Sequence, residues 1–428
     1  MFRIFTLVIA LATVLTLHAD EWPQYMGPQR DGIWRETGIL EKFPDAGLKP
    51  RWRTPIGAGF SGPSVVNGKV YVMDRTLPTG TNNPKNPFAR GMIPGTERVL
   101  CLDENDGKIL WTHSDDCPYD VSYASGPRST PNVVDGKVYT QGVMGNLLCL
   151  NAETGEQIWS HDYKKDYGAT TPTWGFSSNP LVDGKKVIAI ARGPGSTVVC
   201  YDKDTGKEIW KALTDTEPGY CTPVIYEVGG KRQLIIWLPK SLNSLDPETG
   251  TVYWTLPFTS KMGLTAPMPR LIADKDGPLL FVASFYNGSM MARLDAEKPA
   301  AKELWRAKSF TEMKTDTLNS IMPTPWIEDG YIYGVCSYGQ FRCLKVLTGE
   351  RVWESFIPTG GPFPKPEGLR WANTFFTKNG DRFFFFNEKG DLLIGKLSPK
   401  GYEEISRTHI IDPTNPDPGR PVVWSYPA

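Results

Sequence analysis

Tryptophan recurs along this chain of 428 residues at a nearly constant interval. Six tryptophans end the same short phrase, at successive spacings of 48, 51, 44, 51 and 48 residues, and in five of the six a glycine lies four residues earlier. A period in this range indicates a repeat architecture, in which each copy is one structural unit. The six are Trp111, Trp159, Trp210, Trp254, Trp305 and Trp353. We therefore interpret them as parts of a repeated scaffold.

Each repeat predicts a four-stranded antiparallel sheet. Upstream of the tryptophan phrase lies a second one, such as 131–139, in which Asp-Gly separates two β-branched runs. Asn-Gly or Asp-Gly in this setting is the strongest short hairpin pattern. A third run follows, and a Thr-Gly turn leads into a fourth strand that ends in the tryptophan. Such sheets arrayed around an axis form a β-propeller, so we predict an all-β fold.

The number of blades depends on how the ring closes. Trp52, in the segment 50–56, resembles the last strand of a further blade, and we expect it to pair with C-terminal strands so that no edge stays exposed. Because only 421–424 is recognisable as a partner, we predict eight blades with the last incomplete, and seven blades as the alternative. The predicted copies are 61–114, 129–162, 178–213, 221–258, 266–308, 322–356 and a degenerate seventh at 371–407, with Ile405 in the tryptophan position.

Composition limits the class of protein. Lys and Arg number 47 and balance 47 Asp and Glu, so charge gives no case for binding nucleic acid or an anionic membrane. Residues 1–19 carry Arg3, an apolar run and Ala19, which is typical of a cleaved signal peptide. No other segment has the length of a membrane span. We expect an exported monomer, periplasmic or extracellular, with residues 20–428 as one domain.

The positions of the seven cysteines favour a role as buried packing residues over a role in disulfides. Four of them, Cys101, Cys149, Cys200 and Cys343, occupy the same place in different repeats, too far apart to bond. Cys336 and Cys343 flank a short hairpin and are one candidate pair. Cys117 and Cys221, both between repeats, are the other.

No pattern for a known reaction or metal site withstands inspection. Gly57–Gly62 matches a dinucleotide-binding phrase but precedes a strand instead of the helix that phosphate binding requires. The Asp-rich turns at 103–107 and 202–206 lack the glycine of a calcium loop. His113 and His161 are repeat positions. We therefore predict no catalytic residue, no metal site and no bound cofactor.

The segments that do not repeat are the best candidates for a binding site. Residues 75–98 insert a long Pro-, Gly- and Asn-rich loop into the first repeat, and loops of this length are either functional or disordered. The connectors between blades are also long and aromatic, and they converge on one face around the axis. From them we predict a ligand-binding set of Arg128, Trp174, Ser178, Tyr220, Asn319, Trp371 and Asn373.

The phrase Asp-x-x-Thr-Gly-x-x-x-Trp, as at 202–210 and 246–254, resembles the tryptophan-docking motif of the pyrroloquinoline-quinone-like propeller superfamily. The opening at 21–32, Glu-Trp-Pro-Gln-Tyr-Met-Gly-Pro-Gln-Arg-Asp-Gly, is similar to that of exported proteins with the same repeats. The resemblance implies that each motif tryptophan wedges between adjacent blades. The implied docking residues are Trp52, Trp111, Trp159, Trp210, Trp254, Trp305 and Trp353.

Two branches of that superfamily imply different functions. Quinoprotein dehydrogenases oxidise alcohols or sugars through a bound quinone and calcium, often beneath a disulfide between adjacent cysteines, and this chain has no adjacent cysteines. The other branch includes an eight-bladed outer-membrane assembly lipoprotein, a non-catalytic scaffold, whose lipidated cysteine this chain lacks. We predict a non-catalytic scaffold that binds a protein, peptide or carbohydrate on its axial face. A dehydrogenase using pyrroloquinoline quinone with calcium is the alternative.

Overall fold

A computed structural model describes residues 21–308, 311–336, 338–366, 368–415 and 419–428. The signal peptide predicted at 1–19 lies outside these ranges. The described residues form seven four-stranded antiparallel sheets, each made of consecutive strands. The all-β propeller prediction is confirmed, and the preference for eight blades is corrected to seven.

The strands follow the predicted repeats in chain order. Blade 1 contains β1 (Ser64–Val66), β2 (Lys69–Thr76), β3 (Thr96–Asp103) and β4 (Ile109–Asp116); blade 2 contains β5 (Asn132–Val134), β6 (Lys137–Gln141), β7 (Asn146–Asn151) and β8 (Gln157–Asp162). Blade 3 contains β9 (Leu181–Asp183), β10 (Lys186–Ile190), β11 (Val198–Asp202) and β12 (Glu208–Ala212); blade 4 contains β13 (Val224–Val228), β14 (Lys231–Trp237), β15 (Ser241–Leu245) and β16 (Val252–Pro257).

The remaining blades are built in the same way. Blade 5 contains β17 (Arg270–Ile272), β18 (Leu279–Ser284), β19 (Gly288–Leu294) and β20 (Ala301–Arg306); blade 6 contains β21 (Trp326–Glu328), β22 (Tyr331–Val335), β23 (Phe341–Lys345) and β24 (Arg351–Ser355). Blade 7 contains β25 (Thr374–Asn379), β26 (Arg382–Asn387), β27 (Asp391–Ser398) and β28 (Gly401–His409). In the described part of the chain, helical structure is limited to α1 (Tyr163–Tyr167) and a 3-10 turn (Lys261–Gly263). Neither is long or apolar enough to cross a bilayer.

The Asx-Gly hairpins form between the first two strands of a blade, as predicted. In blade 2, Asp135 has φ 49° and Gly136 φ 71°. Two successive residues with positive φ are the requirement of the type I′ turn, whose twist matches that of the flanking strands. The Asp-rich turns that resembled calcium loops serve the next hairpin, where the Asp202 carboxylate accepts hydrogen bonds from the main-chain N–H groups of residues 204 and 205.

The repeated tryptophans lie against the following blade. The Trp111 ring covers Gly155, where an added Cβ would lie 2.5 Å from the ring, and its Nε1 donates to the Ala152 carbonyl at 3.0 Å. Glycine is therefore required in the phrase to admit the ring of the preceding blade. The same arrangement joins Trp159 to Gly206, Trp210 to Gly250 and Trp305 to Gly349. Trp254 differs, because its Nε1 donates within its own blade to Gln233 Oε1 at 2.7 Å.

Trp52 explains how the ring closes with seven blades. The register of blade 7 places Ser406, and not the predicted Ile405, in the tryptophan position, because Ser406 lies opposite Ile394 at the bulge as Trp111 lies opposite Cys101. Trp52 covers Gly107 of blade 1 and donates from Nε1 to the Glu104 carbonyl at 2.7 Å. The segment that contains Trp52 packs beside β28, with the Phe43 N–H bonded to Ser406 Oγ at 3.0 Å. The N-terminal segment therefore supplies the missing wedge between blades 7 and 1 without forming a further sheet.

Residues 21–34, called here the axial plug, close the channel at the centre of the ring. The Trp22 N–H donates to the Val65 carbonyl at 2.8 Å, and Arg30 donates to the Pro180 and Pro223 carbonyls at 2.8 and 3.1 Å. Every blade contributes a partner on or just before its innermost strand. In blade order these partners are Val65, Val133, Pro180, Pro223, Arg270, Thr324 and Lys378. A segment of fourteen residues that reaches all seven blades must cross the axis.

All seven cysteines are buried, and none of them forms a disulfide. The hairpin bond considered for Cys336 and Cys343 is wrong, because Cys343 lies opposite Tyr333, whereas the Cys336 N–H bonds to the Gln340 carbonyl beyond the strand. Cys117 and Cys221 are not bonded either. The four cysteines of the repeat lie across from the docking tryptophans, in the pairs Cys101 with Trp111, Cys149 with Trp159, Cys200 with Trp210 and Cys343 with Trp353.

A second contact between blades comes from the residue two positions after the tryptophan. Thr54 Oγ1 donates to the Gly107 carbonyl at 2.6 Å, His161 Nε2 lies 2.8 Å from the Gly206 carbonyl, and His113 bonds to the main chain of Gly155. The Asp115 carboxylate, 3.2 Å from His113 Nε2, raises the pKa of that imidazole.

This pair predicts a pH effect on stability. Because the folded-state pKa of His113 is raised, its stabilising contribution is complete below the unfolded value of about 6.5 and is lost as pH rises through the folded value. Replacing His113 with Gln should remove about 0.5 kcal/mol of stability at pH 5.5 and less at pH 8.5, since the pair is partly exposed. Urea unfolding at both pH values measures the difference, and an equal loss at both would contradict the assignment.

Candidate functional site

Strand order places the long segments of the chain on one face of the ring. In each antiparallel blade, the first and third turns lie at one end of the strands. The second loop and the connector to the next blade lie at the other end. We call that second end the connector face. It carries the insertion loop and all the connectors that the sequence singled out.

A cavity of about 430 Å³ lies on the axis between the axial plug and the connector face. Of its 23 lining residues, twelve are aromatic. Tyr25 of the plug and Tyr426 form part of its floor, with ring centroids 5.2 Å apart. The aromatic lining residues are Tyr25, Phe60, Phe88, Tyr123, Trp174, Tyr220, Phe285, Tyr286, Trp371, Phe375, Trp424 and Tyr426.

One wall is a continuous row of aromatic rings with an arginine at each end. Tyr123 lies 6.3 Å from Trp371 and 6.2 Å from Trp424, measured between ring centroids. At one end the Arg370 guanidinium lies 4.6 Å from the Trp371 ring, and at the other the Arg128 guanidinium lies 5.3 Å from Phe60. Cation–π contacts of this kind stabilise a guanidinium that has lost part of its hydration.

The charge of the lining is positive. It contains two guanidinium groups, and none of the described residues that line the cavity is Asp or Glu. Arg128 donates to the main-chain carbonyls of Ser122, Tyr123 and Gly126. Arg370 binds Glu312, which lies outside the lining, at 3.1 Å.

Two residues of the aromatic wall have strained backbones. Tyr123 has φ 56° and Trp371 φ 64°, the left-handed region that costs a bulky residue about 1 to 2 kcal/mol. Apart from hairpin turns, the other non-glycine residues with positive φ lie in the plug and on the connector face, namely Met26, Arg30, Arg192, Leu213 and Met262. Strain of this kind persists where the surrounding structure holds a side chain in a particular place.

The seven residues predicted as ligand-binding fall into two groups. Arg128, Trp174, Tyr220 and Trp371 line the cavity. The other three lie behind it and hold the connectors: Ser178 donates to the Cys221 carbonyl, Asn319 to the Phe285 carbonyl and Asn373 to the Trp371 carbonyl. Burial raises the pKa of Tyr220.

Sequence reasoning missed Phe88, Trp424 and both floor tyrosines. Phe88 belongs to the insertion loop. Its ring centroid lies 5.8 Å from that of Trp371, so the loop extends the cavity wall. Trp424 lies in the segment that was interpreted as a restarting blade. Its indole N–H instead donates to Glu388 at 3.0 Å. The only sequence feature that pointed to Phe88 or Trp424 as a cavity residue is that each is an aromatic residue outside the repeat.

The insertion loop is anchored by buried Arg75, which is 2% exposed. Its guanidinium donates to the carbonyls of Ile93 and Ala124, both at 2.7 Å, and lies 4.0 Å from the Tyr119 ring. The Tyr119 hydroxyl donates to Glu97, and burial raises the pKa of that carboxyl group. This network ties the loop to the connector between blades 1 and 2, and so holds Phe88 at the cavity.

The donor set does not fit the calcium ion that the dehydrogenase resemblance implies. Calcium binds six to eight oxygen atoms, with carboxylates prominent among them. The lining offers the Asn179 amide and hydroxyl groups but no carboxylate, and no group of three or more His, Cys, Asp or Glu suited to a metal occurs in the described ranges. The aromatic walls and arginines are compatible with a planar organic anion.

The chain is similar to known propellers. A family model described as outer membrane protein assembly factor BamB matches residues 95–355. Among solved structures, BamB from Moraxella catarrhalis is 16% identical with a TM-score of 0.51, over 87% of this chain and 92% of that one. Quinohemoprotein alcohol dehydrogenase from Comamonas testosteroni is 14% identical with a TM-score of 0.56, over 91% and 74%.

A europium-containing methanol dehydrogenase is 14% identical with a TM-score of 0.58, over 92% of this chain and 86% of that one. At these identities the structural matches show the fold alone. No protein of curated description matches the sequence.

Proposed function

The chain belongs to the family described as outer membrane protein assembly factor BamB, within the pyrroloquinoline-quinone-like propeller superfamily, and we propose that it is a non-catalytic binding scaffold. It is exported, periplasmic or extracellular, and it binds a protein or peptide segment on its connector face. One side chain of the partner enters the axial cavity.

The axial cavity carries this proposal. The plug closes the channel from within, so the cavity is a socket that opens toward the connector face. Apolar pockets with a few polar groups are the usual sites for an anchoring side chain. The wall also contains two strained aromatic residues, Tyr123 and Trp371, whose placement costs stability. None of the described lining residues is Asp, Glu, His, Cys or Lys, the side chains that most often act as general base or metal ligand, and binding alone requires none of them.

A quinone-dependent dehydrogenase is the second candidate, favoured by the aromatic walls and the two arginines. Those residues would hold a planar anionic quinone, which would supply the redox chemistry when bound. Arg128 and Arg370 would orient its carboxylates, and the aromatic rings would exclude water. No carboxylate occurs among the described residues of the lining, which argues against the calcium ion that accompanies the quinone in that branch.

Reconstitution with the quinone separates the two candidates. We expect the purified chain, titrated with pyrroloquinoline quinone and calcium, to reduce an electron-accepting dye with alcohols or sugars no faster than the protein-free mixture. A random peptide library should yield ligands of the full chain whose binding is lost in Trp371→Ala. Stoichiometric quinone binding with calcium-dependent dye reduction, and no peptide that depends on Trp371, would overturn the scaffold proposal.

A further inference from the structure

We propose that the buried carboxylate of Glu388 positions one wall of the axial cavity. It holds Trp424 directly and, through Arg420, the connector that carries Trp371. This inference rests on the scaffold function proposed above, in which the cavity receives the ligand, and it names a residue on which the shape of that site depends. Glu388 is not part of the lining, so it acts on a ligand only through the residues that it holds.

Glu388 lies where two segments outside the sheets meet blade 7. It is 3% exposed and directly follows β26, in the loop on the connector face. Its Oε1 accepts hydrogen bonds from Arg420 Nη2 at 2.8 Å and Nε at 3.2 Å, and its Oε2 accepts one from Trp424 Nε1 at 3.0 Å. Its main-chain N–H donates to the Asn373 carbonyl at 3.1 Å, and its carbonyl accepts from the Val423 N–H at 2.9 Å. One residue therefore ties both segments to the blade.

The first segment is residues 419–428, called here the C-terminal strap. It belongs to no strand, yet Trp424 and Tyr426 of the strap line the cavity. Tyr426 has a separate anchor, because its hydroxyl donates to the Phe376 carbonyl at 2.8 Å. The Trp424 ring lies 6.0 Å from Phe60 between centroids, and its indole N–H is held by Glu388. The carboxylate therefore fixes the place of the Trp424 ring in the wall.

The second segment is the connector before blade 7, which Arg420 links to the carboxylate. Arg420 Nη2 also donates to the Arg370 carbonyl at 3.3 Å, next to Trp371. Trp371 has φ 64°, a conformation that persists only where neighbouring groups hold it. The guanidinium between Glu388 and this main chain therefore helps to keep the Trp371 ring in the wall.

The chemistry of the Glu388–Arg420 pair favours a positioning role over a stabilising one. Burial raises the pKa of Glu388 even though Arg420 and Trp424 oppose the shift, so the carboxylate has lost more hydration than its partners replace. A buried ion pair is often no more stabilising than apolar residues of similar volume, and its best attested use is to specify one arrangement. We therefore assign the pair to the geometry of the wall.

Binding of N-phenyl-1-naphthylamine, a neutral aromatic probe that fluoresces in apolar sites, tests the inference on the full chain. We expect the wild type to bind the probe and Trp371→Ala to lose it, which locates the probe in the cavity. Glu388→Gln keeps an acceptor for the indole but removes the charge that holds Arg420, and it should weaken the probe about tenfold. Glu404→Gln is the matched control, because Glu404 pairs with Arg407 on the outer strand of the same blade, and it should leave the affinity unchanged.

Hydrogen exchange separates positioning from a general loss of stability. In Glu388→Gln the Val423 amide, which donates to the carbonyl of residue 388, should exchange about tenfold faster, because the strap is less firmly held. Amides within β26 and β27 should keep their wild-type protection. Faster exchange in the strap and the strands alike would show that Glu388 only stabilises the blade, and would contradict the inference.

A double-mutant cycle tests the route through Arg420. Arg420→Gln leaves the buried carboxylate without its cation and should weaken the probe at least as much as Glu388→Gln. The two changes together should cost little more than either alone, because both remove the same contact. Arg420→Lys keeps the charge and should recover part of the affinity. Additive losses would mean that the two side chains act independently, and would overturn this route.

The two proposals fail in different ways. If library peptides lose affinity in Trp371→Ala but bind Glu388→Gln and the wild type equally, the scaffold function stands and the positioning role is wrong. Equal probe affinity in Glu388→Gln and the wild type, or no probe binding by the wild type, also overturns the positioning role. If no peptide depends on Trp371 and the quinone binds with dye reduction, the scaffold function itself is wrong.

Discussion

Replacing Arg30 with Ala should lower the free energy of unfolding by about 3 to 5 kcal/mol. The guanidinium is buried and donates to the carbonyls of Pro180 and Pro223 in two neighbouring blades, and to Gln24 Oε1 at 2.7 Å within the plug. Each buried carbonyl left without a donor costs about 1 to 3 kcal/mol, and the lost side chain leaves a cavity. Burial also lowers the pKa of Arg30, which marks the desolvation cost that its hydrogen bonds offset.

Arg35→Ala is the matched control for this prediction. Arg35 directly follows the axial plug and pairs with Asp31 on the surface. Exposed pairs contribute about 0 to 1 kcal/mol, so this variant should unfold at nearly the wild-type urea concentration. If Arg30→Ala loses no more stability than Arg35→Ala, the plug does not stabilise the ring. A loosened plug should also weaken peptide binding, since Tyr25 belongs to the cavity floor.

The blades could be predicted because their determinants are local. Asp135-Gly136 defines a hairpin within four residues, and the Thr154-Gly155 turn defines the next one. Ring closure could not be predicted in the same way. Ring closure depends on the contact of Trp52 with Gly107, which is distant in sequence. Trp52 also fills the gap between blades 7 and 1 without belonging to a strand, and no strand pattern predicts this.

The cavity was predictable only in part. Arg128, Trp174, Tyr220 and Trp371 line it, and the sequence singled them out because the connectors converge on one face in any propeller. Ser178, Asn319 and Asn373 were included by the same reasoning, although their polar groups are used within the connectors. Whether the side chain of a loop residue points into the cavity depends on tertiary contacts, and the period of the repeat carries no information about them.

The opening phrase at 21–32 shows the limit most clearly. Its resemblance to exported repeat proteins identified it as unusual, but its role comes from hydrogen bonds to all seven blades. No local propensity predicts such contacts, because its residues form turns and isolated bridges there. Repeated residues build the ring, and unrepeated residues close its axis and line its cavity.

Gly155→Ala tests the wedge between blades and should lower the free energy of unfolding by about 3 to 4 kcal/mol. Part of the loss, about 1 to 2 kcal/mol, comes from placing alanine at φ 74°. The remainder comes from overpacking, because the new Cβ would lie 2.5 Å from the Trp111 ring and would displace it. The shift would also strain the bond from Trp111 Nε1 to the Ala152 carbonyl.

Gly136→Ala separates the two contributions within the same blade. Gly136 has φ 71°, yet an added Cβ would meet no atom within 4 Å, so this variant should lose only the backbone part, about 1 to 2 kcal/mol. In a Trp111→Leu background the excess cost of Gly155→Ala over Gly136→Ala should largely disappear, since the ring that opposes the new methyl group is gone. Urea unfolding of the six proteins, namely the wild type, Trp111→Leu and each glycine variant in both backgrounds, measures this coupling. Equal losses at Gly155 and Gly136 in the wild-type background would mean that the interface adjusts to the added methyl group, and the glycine of the repeat would then be explained by its turn alone.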